Sequence, residues 1–319
     1  MLVIENLDDL PRALSFPVLT IGVFDGVHLG HQAIFRRLTR RAIETGGTSI
    51  LLTFTPHPQK IISPPDAPPQ LQTDAQKQEI LSQEGIDILV RLPFTRRLSL
   101  LTPDQFARDI LHSHGIREIH VGSNFRFGHR RSGDFQTLRA LGRKYGFEVH
   151  AIDSVRFRNR RVSSTKVRLS LREGKTSLVR RLLGRPYQIR GTVVRGDRRG
   201  VQLGFPTANL HPANELIPCS GVYFTYALVN GKRLPSVTNV GYRPTIGKTV
   251  DGPPLVESHL IGYEGDLYGK NITVDFLMRV RPETRFSGLE ELKRHIRADI
   301  QKAHRYFDHF HRLEEGRCP

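Results

Sequence analysis

The sequence predicts an α/β domain built on a parallel sheet, followed by an antiparallel β domain that closes with one long helix. Three observations predict it. The 319 residues exceed what a single core usually occupies, which favours two domains. Up to Gly184, short apolar runs alternate with helical patterns, as right-handed βαβ units require. Beyond Gly184 the texture changes to β-branched and aromatic runs separated by Gly and Pro. The boundary therefore falls at residue 184, giving domains 1–184 and 185–319.

Taken in order, residues 17–24 read as a buried strand, and the following helix carries Ile34, Leu38 and Ala42 on one face before Gly46 and Gly47 end it. Residues 49–54 form the next strand. The stretch 59–72 is Pro-rich and irregular, Asp74 caps a helix running to Gly85, and residues 86–92 are apolar enough for another buried strand. Thr102-Pro103-Asp104-Gln105 combines an N-cap, a first-turn proline and a capping-box partner for a helix reaching Gly115. A strand over 118–122, a helix over 133–145 and a strand over 147–152 complete an α/β pattern of the nucleotide-binding type. In the second domain, Asn230-Gly231 between residues 222–229 and 232–240 fits a type I′ hairpin. The last helix opens at Ser287 with Glu290 as capping-box partner, and Leu289, Leu292, Ile296 and Ile300 form the stripe that should pack on the preceding strands.

Composition excludes several classes. Apolar content of 38% and charged content of 25% argue against disorder. No apolar run approaches the ~20 residues of a membrane span, and the start at Glu5, Asp8 and Asp9 lacks the basic region of a signal peptide, so a cytoplasmic protein is expected. Cys219 and Cys318 are too few for a disulfide framework or a four-ligand zinc site, so no structural metal is expected. The net charge of +17 invites a nucleic-acid reading. Its arginines are scattered, however, with no aromatic-interleaved motif. A basic solvated surface is the better reading than a nucleic-acid site, and it would attract small anions such as ATP equally well.

The sharpest motif is Gly22-Val23-Phe24-Asp25-Gly26-Val27-His28-Leu29-Gly30-His31, where a strand gives way to a helix. Free amides at a helix start, with glycines that admit close approach, make an anion site. The two histidines share a helical face and could both reach one phosphate; a metal pair and a purely structural role are the competing readings. The His28-Leu29-Gly30-His31 element resembles the HxGH mark of the adenylyltransferase superfamily. Its second mark, at a helix start, is matched by Ser163-Ser164-Thr165-Lys166-Val167-Arg168. That resemblance implies a Rossmann-like nucleotidylyltransferase fold that binds ATP through Gly22, Phe24, Asp25, Gly30, Ser163, Ser164 and Thr165. His28 and His31 would meet the α-phosphate, and Arg168 the outgoing pyrophosphate.

Two loops resemble those that surround the flavin in bacterial FAD synthetases: Thr53-Phe54-Thr55-Pro56-His57-Pro58 and Gly122-Ser123-Asn124-Phe125-Arg126-Phe127-Gly128. They imply flavin contacts from Pro56, His57, Pro58, Asn124, Phe125 and Arg126. By themselves Phe54 and Phe125 read as core aromatics, and the resemblance reverses that reading for Phe125 while leaving Phe54 open. Asn124 stands where many relatives carry Asp, and an amide can still hydrogen-bond a phosphate.

The second domain opens on Gly196-Asp197-Arg198-Arg199-Gly200-Val201-Gln202-Leu203-Gly204-Phe205-Pro206-Thr207-Ala208-Asn209. Charge and Pro206 make a helix there implausible, and a phosphate-cradling loop is the better reading. It is no Walker A loop, and the Gly174-Lys175-Thr176 and Gly247-Lys248-Thr249 triplets lack the first glycine of one. The Gly204 to Asn209 run resembles the riboflavin kinase family. This implies a β-barrel whose Gly196, Gly200, Gly204, Pro206, Thr207 and Asn209 hold ATP, with Mg²⁺ on Thr207 and Asn209. Asn239 and Arg243 would hold riboflavin, and Glu257 would act as general base, a role that a lone strand glutamate would not otherwise suggest. Arg195 and Val201 depart from the residues usual in that loop. His304, His309 and His311 read as surface histidines.

The order of both elements along the chain resembles bifunctional riboflavin kinase/FAD synthetases. ATP, riboflavin and FMN are then substrates, FAD is the product, and apo-flavoproteins are further partners. A flavin-responsive regulator that binds nucleic acid is the rival reading, as is an adenylyltransferase for another cofactor precursor.

Overall fold

A computed structural model describes residues 1–11, 13–196, 200, 203–242, 254–284 and 286–314, with side chains described to residue 309. Arg243, the charged trio 197–199, Val201 and Cys318 lie outside the described residues, as does the side chain of His311. The chain divides into two compact units, one of residues 1–69 and 74–164 and one of 70–73 and 165–319.

The first unit runs β1 (Leu2–Ile4), β2 (Pro17–Ile21), α1 (Leu29–Thr45), β3 (Thr48–Thr55), α2 (Pro58–Ile62), α3 (Asp74–Ser82), β4 (Ile88–Pro93), α4 (Arg96–Ser99), α5 (Pro103–Phe106), β5 (Glu118–Gly122), α6 (Phe135–Tyr145), β6 (Glu148–Ile152), and a small hairpin of β7 (Arg156–Phe157) and β8 (Arg160–Arg161). Six strands pair in the order β1-β4-β3-β2-β5-β6, every pair parallel. Alternate residues of β3 and β4 bury on opposite faces. Leu51 and Leu89 pack with Phe35 and Val27 of one core, and Ile50, Leu52, Ile88 and Val90 with Leu111 and Leu138 of the other. A sheet covered on both sides accounts for the near-continuous apolar strands. The strand order reverses between β2 and β5, so ligands are expected beyond the carboxyl ends of β2, β3 and β5.

The elements that the sequence predicts are present, although the strand from residue 17 ends at Ile21 and β1, α4 and the β7–β8 hairpin are additions. Three further refinements concern helices. The irregular stretch contains α2 and a 3₁₀ turn at Pro64–Asp66, because proline at the first helical position is preset for the turn and His57 caps it. Asp74 is the first helical residue and not the cap. The capping box at Thr102 and Gln105 forms, but the α-helix passes into a π-turn over Ala107–His112 before Gly115 ends it at φ +67°.

The second unit begins with α7 (Ser164–Arg172, from Thr165 onward) and α8 (Thr176–Leu183), then a closed antiparallel barrel of β9 (Tyr187–Val194), β10 (Ala208–Pro212), β11 (Gly221–Val229), β12 (Lys232–Gly241), β13 (Leu255–Leu260) and β14 (Asn271–Arg281), followed by α9 (Leu289–Glu314). The barrel order is β10-β13-β12-β11-β14-β9. Asn230 and Gly231 have φ of 49° and 77°, the two positive values that a type I′ turn requires. Closure removes every sheet edge from the barrel.

Three expectations in this unit are corrected. Gly200 has helical backbone, contrary to the expectation that no helix forms there, and Pro206 lies beyond the turn at residues 203–204. Ser287 donates its amide and hydroxyl to Glu291, not Glu290, because the helix begins at Leu289. Leu289 is exposed whereas Leu292, Ile296 and Ile300 of the predicted stripe are half-buried, and the fully buried anchors of α9 are Ala303 and Phe307 against Phe224, Tyr226 and Leu277.

Candidate active sites

In the first unit the motif residues converge where β2 ends and α1 begins. His28 is the N-cap of α1, and its buried Nδ1 accepts the amide proton of His31 at 3.3 Å. A neutral ring accepting at Nδ1 carries its proton on Nε2, the donor form that a phosphate oxygen needs. The His31 ring stacks on His28 with centroids 3.6 Å apart and meets Phe24 edge-on at 5.2 Å. Gly30 and Gly22 leave room for these rings: an added Cβ would fall 3.0 Å from the His28 ring and 2.8 Å from that of Phe24. Phe24, Gly26 and Val27 all have positive φ, so the loop turns sharply, and the Val27 amide closes it by donating to the Phe24 carbonyl at 3.3 Å. Asp25 is buried, and its carbonyl accepts from the Ser164 hydroxyl at 2.8 Å. Ser163 is half-buried, whereas exposed Thr165 and buried Arg168 belong to the second unit.

The flavin-loop residues follow β3 and β5. Pro56 is exposed after a cis Thr55–Pro56 bond. His57 is buried and caps α2 by accepting the Gln59 amide at 3.1 Å, and Pro58 takes the first helical position. Asn124 is exposed, and a Cβ on Gly122 would lie 3.3 Å from its Oδ1. Phe125 stacks on Phe127 at 5.5 Å, and Phe54 meets Phe94 edge-on at 5.4 Å; both partly buried rings pack on the larger core. Arg126 is exposed and pairs with Asp134 at 3.2 Å.

In the barrel, register does the assembling. Asn209 on β10 lies directly opposite Glu257 on β13, and Glu257 lies directly opposite Asn239 on β12. Cross-strand partners point to one face, so three polar side chains form a row over three strands, each half-buried. Gly196 packs against the first of them: a Cβ there would sit 2.5 Å from the Asn209 amide nitrogen. A Cβ on Gly200 would fall 2.5 Å from the Phe205 carbonyl and 3.1 Å from Thr207 Oγ1. Gly204 supplies a φ of +82° in the turn before Pro206, whose carbonyl accepts from His259 Nδ1 at 2.8 Å. Gly196 and Gly200 thus border Asn209 and Thr207 directly.

Comparison with known proteins decides between the flavin reading and its rivals. The family model described as FAD synthetase matches residues 11–166, and that described as riboflavin kinase matches residues 183–307. A bifunctional riboflavin kinase/FMN adenylyltransferase from Pseudomonas fluorescens is 41% identical over 95% of this chain and 97% of its own. The chain belongs to the bifunctional riboflavin kinase/FMN adenylyltransferase family. Further members from Escherichia coli K12, 37% identical over 95% of this chain and 96% of their own, and from Bacillus subtilis, 34% identical over 91% and 92%, extend the likeness. A solved structure described as a macrolide-efflux protein from Streptococcus pneumoniae shares the fold, with a TM-score of 0.86 and 27% identity over 95% of this chain and 98% of its own. Among the described residues of this family member, no helix is long and apolar enough to cross a membrane.

Lys77, beside the motif loop, is a residue that sequence reasoning missed. From α3 its Nζ donates to the Val23 carbonyl at 2.7 Å and to Thr53 Oγ1 at 2.6 Å, tying the end of β3 to the loop before His28. Burial pushes its pKa down to about 8, with Arg91 adding to the shift and Asp25 and Asp74 opposing it. Nothing marks one half-buried lysine in a polar helix as desolvated until the helix is docked.

Proposed function

We propose that residues 185–319 phosphorylate riboflavin to FMN and residues 1–184 transfer the adenylyl group of ATP to FMN, each at its own site. Family membership makes the chain an enzyme of both steps of flavin cofactor synthesis. The observation that carries the assignment of residues is that two phosphate-fitted loops exist in one chain: the capped histidine pair after β2, and the glycine loop against Asn209 and Thr207.

In the kinase step Glu257 accepts the proton of the riboflavin primary alcohol as its oxygen attacks the γ-phosphorus. The new O–P bond forms as the bond to the β-phosphate oxygen breaks, and ADP leaves. Asn239 would orient the flavin, together with Arg243 from outside the described residues. Thr207 and Asn209 offer the oxygen donors that Mg²⁺ prefers, beside glycines whose missing side chains leave the space a phosphate needs. When bound, the ion supplies charge neutralisation on the phosphates. In the second step an FMN phosphate oxygen, already anionic, attacks the α-phosphorus without a general base, and pyrophosphate leaves. His28 and His31 donate to the charge that develops, Ser164, Thr165 and Arg168 hold the leaving group, and the loops at Pro56–Pro58 and Asn124–Arg126 hold FMN. We place the enzyme in the cytoplasm, from which FAD passes to apo-flavoproteins.

The test is to follow riboflavin, FMN and FAD by chromatography in the presence of ATP and Mg²⁺. Wild type should give FMN and then FAD. Glu257→Gln should lose about 10²–10⁴-fold of kinase turnover while still converting supplied FMN to FAD. His28→Ala should do the reverse, losing about 10²–10³-fold of adenylyl transfer. Loss of both activities in either variant would refute separate sites.

A further inference from the structure

Outside both sites, two strands carry the same dyad in register. Glu118 and His120 on β5 face Glu148 and His150 on β6, with Glu118 paired to Glu148 and His120 to His150. All four therefore share one face at the edge of the sheet, where β6 is the last strand. His120 Nε2 lies 3.3 Å from Glu118 Oε2, His150 Nε2 lies 3.6 Å from the same oxygen and 3.3 Å from Glu148 Oε2, and the two imidazoles stack at 4.9 Å. Among the described residues, Glu118, His120 and His150 are the one group of three whose ligand atoms all come within 4.8 Å of one another.

Those spacings are what a metal demands. Ligands held at about 2.0–2.1 Å around a tetrahedral ion are separated by roughly 3.3 Å. Hydrogen bonding accounts for only part of the cluster: His120 Nε2 bonds Glu118 Oε2 at 3.3 Å, but His150 Nε2 is buried and has no partner of acceptable geometry despite two nearby carboxylates. The protein has also fixed the carboxylate in place. Arg41 holds Glu118 through three contacts of 2.6–3.0 Å, two of them on Oε1, so Oε2 is the oxygen turned to both histidines. A carboxylate has lone pairs for both duties. Arg37 adds a second positive charge near His120, and the two glutamates offset the pair of arginines. Glu118 and His120 are fully buried while His150 is 39% exposed, which gives an ion a way in.

We propose that Glu118, His120, His150 and Glu148 bind a divalent transition-metal ion of the zinc class, which cross-links edge strand β6 to β5. Two imidazole donors favour that class over Mg²⁺, which takes oxygen ligands. The proposal does not rest on either catalytic assignment, since none of the four residues belongs to the two sites.

The test uses the full chain stripped with EDTA, titrated with Co²⁺ by visible absorption and with Zn²⁺ by calorimetry. A single saturable equivalent is expected, with the intense visible bands of four-coordinate Co²⁺. At a hundredfold excess of Zn²⁺ over its dissociation constant the melting temperature should rise by about 5 °C or more. His150→Ala and Glu148→Gln, at accessible positions on the edge strand, should each weaken binding at least about tenfold, whereas His304→Ala on the exposed face of α9 should leave it unchanged. Absence of saturable binding to the wild type would overturn the proposal. So would binding that survives both edge-strand substitutions or vanishes with His304.

Discussion

A methyl group at Gly196 would tell how closely the kinase loop is fitted. Its Cβ would lie 2.5 Å from the Asn209 amide, so Gly196→Ala must displace either the loop or the asparagine. A shift approaching 1 Å costs about 10²-fold where geometry governs the rate. Steady-state assays should therefore show kcat/KM for riboflavin phosphorylation falling by that order while adenylylation of FMN is unaffected. At Lys77 the readout is stability against pH. Its native pKa, lowered from 10.5 to about 8 by burial, means that below pH 8 the group is charged in both states and folding carries the full desolvation cost. Between about 8 and 10.5 the unfolded chain holds the proton that the native state has released, so stability rises with pH. Urea melts of the wild type and Lys77→Met across pH 7.5–10 should show the difference in unfolding free energy moving in favour of the wild type; a flat difference would mean an ordinary, solvated lysine. The histidine pair and the glycine loop were legible as residues because each imposes its own local geometry. Lys77 was not, because its environment comes from Val23 and Thr53, both distant in sequence.

Helix α9 shows how an element can be recognised and its contacts still misread. Its helical period is plain in the sequence, but periodicity gives a face along all its turns, and the barrel meets only part of it. The contact falls on Ala303 and Phe307, whose ring lies 4.9 Å from Tyr226 and 6.1 Å from Phe224, while Leu289 stays in solvent. Phe307→Ala should cost about 3–5 kcal/mol in denaturant melts of the second unit, whereas Leu289→Ala should change stability by less than about 0.5 kcal/mol. The Asn230-Gly231 hairpin went the other way: two positive φ values in adjacent residues are a demand of the turn itself, so the pair predicted both the turn type and the register of β11 with β12.

At the scale of the whole chain, change of texture and packing put the boundary in different places. Strand-rich sequence begins after Gly184, yet α8 belongs to the second unit and buries Val179, Leu182 and Leu183, with β14 and β9 as its neighbours. Burying such a side chain is worth about 1.5–3 kcal/mol, so a fragment starting at residue 165 should unfold at clearly higher urea than one starting at 185. Equal midpoints would mean that α8 contributes nothing to the barrel. By itself the sequence determined most of the elements of the first unit, the parallel-then-antiparallel architecture and the two glycine- and histidine-bearing motifs, since capping, turn chemistry and hydrophobic period act within a few residues. By contrast, β1, α4, the β7–β8 hairpin and α8 escaped it. Only the tertiary structure decided which side chains meet: the Asn209–Glu257–Asn239 row, the burial of Lys77 and the paired Glu-His dyads of β5 and β6. Strand register and helix docking set those meetings between segments tens of residues apart, where no local preference reaches.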